Sequence, residues 1–157
     1  MTKEIKKDSN EILSQMLGTC LASATVMYHR VHGFHWNVVG PDFPQWHDKF
    51  AEIYEDVYGS LDPLAENIRK VSGRFAPFRL ADLASRSVVN DNVITDFGSD
   101  TLVKDLLVSN EAVLELLQRT FDVATAANQQ GVANFIAERI DAHQKWNWQL
   151  RVSAGSR

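Results

Sequence analysis

Past Asn10 the apolar residues fall at Leu13, Met16, Leu17, Cys20, Leu21, Ala24, Met27, Tyr28 and Val31. Three-and-four spacing of this kind makes one continuous face only on an α-helix. The same period returns through Trp46, Phe50, Ile53, Tyr54, Val57, Leu61, Leu64, Ile68 and Val71. It returns from about Ser99 through Leu102, Leu106, Val113, Leu114, Leu117 and Phe121 to about Asn128. A fourth stretch follows the turn near Gln129-Gln130-Gly131 and carries Phe135, Ile136, Ile140, Trp146 and Leu150. No alternating run bounded by hairpin turn residues competes with these four, so the chain reads as all-α.

The punctuation between the stretches sets their order in space. Gly40-Pro41 stops the first helix, Asp42 stands where a cap belongs, and Pro44 suits a first turn. Gly73 ends the second helix. Pro63 lies inside that helix with Gly59 at i−4, where the ring meets a carbonyl and one hydrogen bond is lost, so a kink is expected there. Residues 74–97 form a long connection in which Pro77 opens a short helix through Leu80, Leu83 and Ala84. Four long helices with a long crossover between the second and third make a ferritin-like four-helix bundle, with a short extra helix in the crossover. The expected domain is 10–152, between a flexible tail at 1–9 and a loose end at 153–157.

Composition narrows the setting. At 157 residues one domain with one core is the simplest organisation. The formal net charge of −4 argues against a surface that grips nucleic acid all round. A single cysteine, Cys20, allows no internal disulfide. No apolar run approaches a membrane span, the N-terminus has no secretory pattern, and the expected location is cytoplasmic.

The chemistry is concentrated between His29 and His47, where four of the five histidines lie with Trp36 and Trp46. Neutral imidazole binds transition metals well. In an antiparallel hairpin about Gly40-Pro41, His35 and His47 lie six residues either side of residue 41 and so meet at one end of the bundle. Two imidazoles make half a site. The Glu-x-x-His pairs that bundles use for di-iron centres occur nowhere in the chain. The remaining carboxylate pair is Asp62 and Glu66, spaced i, i+4. Asp62 lies roughly 22 Å along the helix from His47, so the two halves cannot meet in one chain. They can meet between two chains across a two-fold axis, which makes two equivalent sites. Asp62 has a second reading, as the cap of a new helix segment beside Pro63.

The run His35-Trp36-Asn37-Val38-x-Gly40-Pro41-x-Phe43-x-x-x-His47-x-x-Phe50, then Asp62-x-x-Ala65-Glu66, resembles the Dps family of mini-ferritins, as does the ending Asp141-x-His143-x-Lys145-Trp146. The resemblance implies a hollow shell of twelve subunits with ferroxidase centres at two-fold interfaces. It implies His35 and His47 from one subunit, and Asp62 and Glu66 from its neighbour, as iron ligands. Ferrous iron is then oxidised by hydrogen peroxide, or by dioxygen, and stored as ferric mineral; zinc or another divalent ion can take the same donors. Trp36 is expected to donate an electron and intercept radicals, with Trp46 a second candidate.

Departures from the family pattern are part of the reading. Ala51 stands where the family often has an acidic ligand four places after the second histidine, with Asp48 and Glu55 nearby. The turn at 128–134 is uncharged where the family often lines an iron pore with acids, which leaves Glu138 and Asp141 for that role. His32 and His29 read as supporting rather than ligating residues, and His143 as structural. Trp146 and Trp148 read as packing. Asp48, Glu52, Glu55 and Asp56 read as a solvated face that a shell would turn to its cavity. Lys3, Lys6 and Lys7 against Glu4 and Asp8 suggest at most a weak, salt-sensitive association with DNA.

Overall fold

The computed structural model describes residues 3–155, with side chains from residue 9 onward. Six helices follow one another: α1 Lys3–Asn37, α2 Phe43–Gly59, α3 Leu61–Ser72, α4 Leu80–Arg86, α5 Ser99–Ala126 and α6 Gln130–Ser153. α2 and α3 are two halves of the second bundle helix, so α1, α2 with α3, α5 and α6 make the four-helix bundle. α4 is the short helix expected in the crossover.

α1 is the hub. It packs on α2, α3, α4 and α5, and α5 lies along α6. Leu13, Leu17, Met27 and Val31 of α1 are fully buried against Phe50, Ile53 and Val57 of α2, Ile68 of α3, Leu102 and Leu106 of α5, and Ile136 and Leu150 of α6. These are the positions that the helical period selects. Truncating one of the large ones to alanine typically costs about 2–5 kcal/mol through lost burial and the cavity left behind. Among the described residues the only β feature is a single parallel bridge, Val39 to Gly98, closed by the Val39 amide donating to the Phe97 carbonyl at 3.0 Å. It ties the α1–α2 turn to the entrance of α5. Among the described residues no helix is long and apolar enough to cross a membrane.

Three local expectations are corrected. The backbone is already helical at Lys3, through most of the stretch expected as a tail; residues 1–2 lie outside the described residues. At the other end α6 runs to Ser153, and residues 156–157 of the expected loose end also lie outside them. The kink expected from Pro63 is a one-residue break at Ser60. Ser60 keeps right-handed helical angles (φ −84°, ψ −14°), its hydroxyl donates to the Val57 carbonyl at 2.6 Å, and its own carbonyl accepts from the Leu64 amide. Pro63 has no amide to give the Gly59 carbonyl, and the helix is interrupted at this one residue. Third, Asp42 occupies the N-cap position of α2 without a side-chain capping bond.

Gly40 has φ +117°, a conformation that a side chain would strain, and it permits the tight reversal between α1 and α2. Arg30 locks the same end from the other side. Its guanidinium donates twice to Asp105 at 2.8 Å and once to the Asn92 carbonyl at 2.9 Å, which fastens α1 to α5 and to the crossover. A bidentate pair of this kind fixes orientation as well as position.

Candidate metal centre

His35 sits in the last turn of α1 and His47 in the first turns of α2, so the Gly40 reversal brings them face to face. Their rings stack with centroids 3.7 Å apart and planes 21° from parallel. The bonding is reciprocal. Nδ1 of His35 donates to the backbone carbonyl of His47 at 2.7 Å, and Nδ1 of His47 donates to the carbonyl of His35 at 2.8 Å. A carbonyl can only accept, so each Nδ1 carries a proton. The neutral ring then has its lone pair on Nε2. This is the form in which imidazole binds a metal: one nitrogen held by a backbone oxygen, the other free to coordinate. Both rings are half-buried, and the Phe43 ring lies 5.0 Å from His47, ring centre to ring centre. The donor set therefore fits a first-row divalent ion such as iron, or zinc.

One chain does not complete a site. Among the described residues no three histidine, cysteine or acidic side chains come together to hold a metal. Asp62 and Glu66 lie on α3, beyond the Ser60 break, and both are exposed. Asp62 is in the first turn of α3 and does not cap it; Ser60 precedes the helix. Ala51 is half-buried and brings no donor to the row after His47. Asp48 and Glu55 are exposed.

An aromatic cluster surrounds the two histidines. His32 stacks on Tyr54 at 4.2 Å and lies 4.3 Å from Trp36, ring centre to ring centre. Burial, together with the neighbouring His35 and His29, holds the His32 imidazole below its ordinary pKa, which keeps it neutral and favours its packing role. Trp36 is 58 % exposed. Trp46 turns away from the pair and packs on Phe50 at 5.4 Å. Tyr54 meets His35 edge-on at 5.4 Å. Tyr28 joins Tyr54 at 6.1 Å and Tyr58 at 5.1 Å. In the sequence, Tyr54 and Tyr28 stand as positions of the apolar stripes. The signal that finds them is their register: 47, 54, 58 and 62 repeat at seven and four on one face, and 28, 32 and 35 do so on the facing helix.

The other acidic and histidine residues sort differently. Asp56, expected on a solvated face, is paired with Arg139 of α6 through two bonds of 3.1 and 2.7 Å and accepts from the Trp146 indole at 3.4 Å. Burial alone would raise its carboxyl, but the guanidinium overrides that and holds it below the ordinary carboxylate range. Glu52 pairs with Lys49 and Lys145. His143 is buried beside this pair. Its Nδ1 donates to Asn110 Oδ1 at 2.8 Å, Asn110 Nδ2 donates back to the His143 carbonyl at 2.9 Å, and burial pushes its pKa down to about 3. Trp146 is buried, while Trp148 is 58 % exposed. Glu138 and Asp141 are exposed along α6.

The family model for the ferritin-like domain matches residues 15–153. Among curated relatives, the DNA protection during starvation protein of Brevibacillus brevis is 27 % identical over 159 residues, covering 94 % of this chain and 98 % of its own. Among solved structures, the Helicobacter cinaedi CAIP crystal structure aligns with a TM-score of 0.85 at 28 % identity, over 90 % of this chain and 99 % of that one. The crystal structure of a Dps protein from Bacillus brevis aligns with a TM-score of 0.87 at 24 % identity, over 97 % and 98 % of the two chains.

Proposed function

The chain belongs to the ferritin-like family, in its Dps branch, and on that premise we propose that it is a ferroxidase and iron-storage protein working as a twelve-subunit shell. The observation that carries this reading is the reciprocal pair His35 and His47: two rings, each fixed through Nδ1 and each leaving Nε2 to coordinate, side by side at the end of the bundle. Asp62 and Glu66, exposed on α3, are the donors that a partner subunit would bring to them.

Ferrous iron is the substrate. Nε2 of His35 and of His47 hold it on one side, and Asp62 and Glu66 of the partner subunit hold it on the other. Four protein donors leave coordination positions open for hydrogen peroxide, or dioxygen, to take electrons from it. The carboxylates offset the charge of the ferric product and pass it on to the shell interior, where Asp48 and Glu55 add further oxygen donors. Trp36, in ring contact with His32, is placed to give an electron to a stray radical. The setting proposed is the cytoplasm, and the same donors would take zinc.

Anaerobic loading with ferrous iron followed by peroxide should raise ferric absorbance and deposit mineral, and light scattering should give a particle of twelve chains. A monomer or plain dimer that forms no mineral would overturn the reading. Weak DNA association is the second reading, favoured by the relative's name and by Lys3, Lys6 and Lys7, whose side chains lie outside the described residues. A gel shift that appears at low salt and vanishes at physiological salt supports it; no retardation at low salt removes it.

A further inference from the structure

The chain has three tyrosines, and all three stand in one row beside the histidine pair. Tyr54 touches His35 and His32, Tyr28 touches Tyr54 at 6.1 Å, and Tyr58 touches Tyr28 at 5.1 Å. The row does not wander. It leaves the His35/His47 end and follows the α1–α2 hairpin toward α3. Tyr58, 59 % exposed, precedes Asp62 by one turn, roughly 6 Å of helix, and the Ser60 break keeps helical angles between them. Under the shared-site reading above, one chain gives histidines to one centre and carboxylates to the other. Its tyrosines fill the interval between the two.

We infer that Tyr54, Tyr28 and Tyr58 form an electron relay joining the two iron centres of a two-fold pair. The need for one follows from the donor set. Peroxide takes two electrons, and ferrous iron gives one. A second iron beside the first would supply the other, but Ala51 stands where a further acidic donor would help to hold it. A centre holding one iron must draw the second electron from elsewhere.

The steps balance. Ferrous iron at the first centre gives one electron to hydrogen peroxide, the O–O bond breaks, and hydroxide and hydroxyl radical result. The radical takes the phenolic hydrogen of Tyr54 and becomes water. Tyr28 passes an electron and a proton to the Tyr54 radical, and Tyr58 does the same for Tyr28. The Tyr58 radical then takes an electron from ferrous iron at the second centre and a proton from water, which leaves hydroxide and the intact phenol. In sum, two ferrous ions and one peroxide give two ferric ions and two hydroxides, with no radical released and no tyrosine consumed.

Freeze-quenched electron paramagnetic resonance tests this, with ferrous iron loaded anaerobically at one ion per chain and peroxide added below that amount. Because every tyrosine lies in the row, a tyrosyl signal has one possible source. Wild-type protein should show a transient tyrosyl signal that decays as ferric absorbance completes, two irons oxidised per peroxide, and a silent hydroxyl spin trap. Y58F keeps the ring and cuts the far end. Its tyrosyl signal should last about tenfold longer or more, the irons oxidised per peroxide should fall toward one, and the trap should report escaping radical. Y54F, which preserves the stack on His32, should abolish the tyrosyl signal; a melting curve like that of the wild type keeps this variant interpretable. If wild-type protein oxidises iron but the triple Y28F/Y54F/Y58F variant matches it in stoichiometry and trap silence, the relay falls and the ferroxidase reading stands. If wild-type protein oxidises no iron, both fall.

Discussion

Two histidine sites sit in one small bundle and differ in how open they are. At the α1–α2 end, His35 and His47 satisfy one ring nitrogen each and leave the other free in a half-buried pocket. In the bundle interior, His143 exchanges two bonds with Asn110, and Arg139 and Trp146 both donate to the neighbouring Asp56. Every strong donor named there has an acceptor. The His143 ring likewise has one bonded nitrogen, but it is only 4 % exposed, inside a polar network that rigidifies the core and keeps it away from any ligand. A histidine pair with half its capacity unused, near the surface, is open to one. The difference shows why residue type alone does not mark a site: an unspent lone pair within reach of solvent does.

The comparison breaks first if iron chemistry survives loss of the exposed pair. His35→Ala should lower ferrous oxidation by two orders of magnitude or about that, since removing even an indirect support of a metal ligand costs 10–100-fold. Its melting temperature should stay close to that of the wild type. Asp62→Asn should lower the rate in the same way if the centre is shared. Co-assembling equal amounts of the H35A/H47A and D62N/E66Q chains sharpens this. Half the random pairs are mixed, and each mixed pair rebuilds one of its two centres, so about a quarter of wild-type activity should return. No recovery would mean that histidines and carboxylates serve the same chain or none.

His143→Ala should do the reverse. It leaves Asn110 Oδ1 buried without its donor, while Nδ2 keeps its acceptors, and opens a cavity, which together cost about 2–4 kcal/mol. Chemical denaturation reads that loss, while iron oxidation per assembled particle should hardly move. An equal loss of iron oxidation in folded H143A protein would show that the interior cluster belongs to the site after all.

The same cluster predicts a pH dependence. The folded pKa of His143 is pushed down to about 3, below the ordinary value of 6.5. The unfolded chain therefore takes up a proton that the folded chain refuses. Stability from this group is complete above pH 6.5 and is lost as pH falls toward 3, by at most about 1.4 kcal/mol per pH unit. Asp56, held below the ordinary carboxylate range, adds a loss in the same direction at lower pH. Denaturation midpoints from pH 8 to pH 4 check this: H143A should flatten the upper part of the fall.

The four long helices and the crossover helix were legible because period 3.6 survives in a single sequence. His35 and His47 were legible because Gly40-Pro41 lies midway between them. What was not legible depends on partners far away in sequence. Asp56 looked like one more acid in a solvated run, since Arg139 lies on α6. Pro63 announced a distortion, but its position at Ser60, three residues upstream, depends on local hydrogen bonding and not on a pattern. Tyr28 and Tyr54 were hidden for a third reason: an aromatic at a core-facing position satisfies the apolar stripe and shows its second use only when the two helices are set face to face.

The smallest effect belongs to a residue that the sequence favoured and the structure leaves idle. Asp42 precedes α2 where a capping side chain belongs, and replacing a working cap by alanine costs about 1 kcal/mol. Here its side chain makes no bond to the helix, and the α2 entrance is held instead by Trp46 donating its amide to the Asp42 backbone carbonyl at 3.1 Å. Asp42→Ala keeps that carbonyl. The remaining contribution is the carboxylate near the positive helix end, about 0.3 kcal/mol when exposed and screened by salt. Denaturation at low and high salt should therefore show a small loss that shrinks with salt, and an undiminished iron rate, because Gly40 and the reciprocal histidine bonds set the pair. A loss near 1 kcal/mol that salt does not screen would mean that Asp42 caps α2 in solution and helps to set the angle at which His47 meets His35.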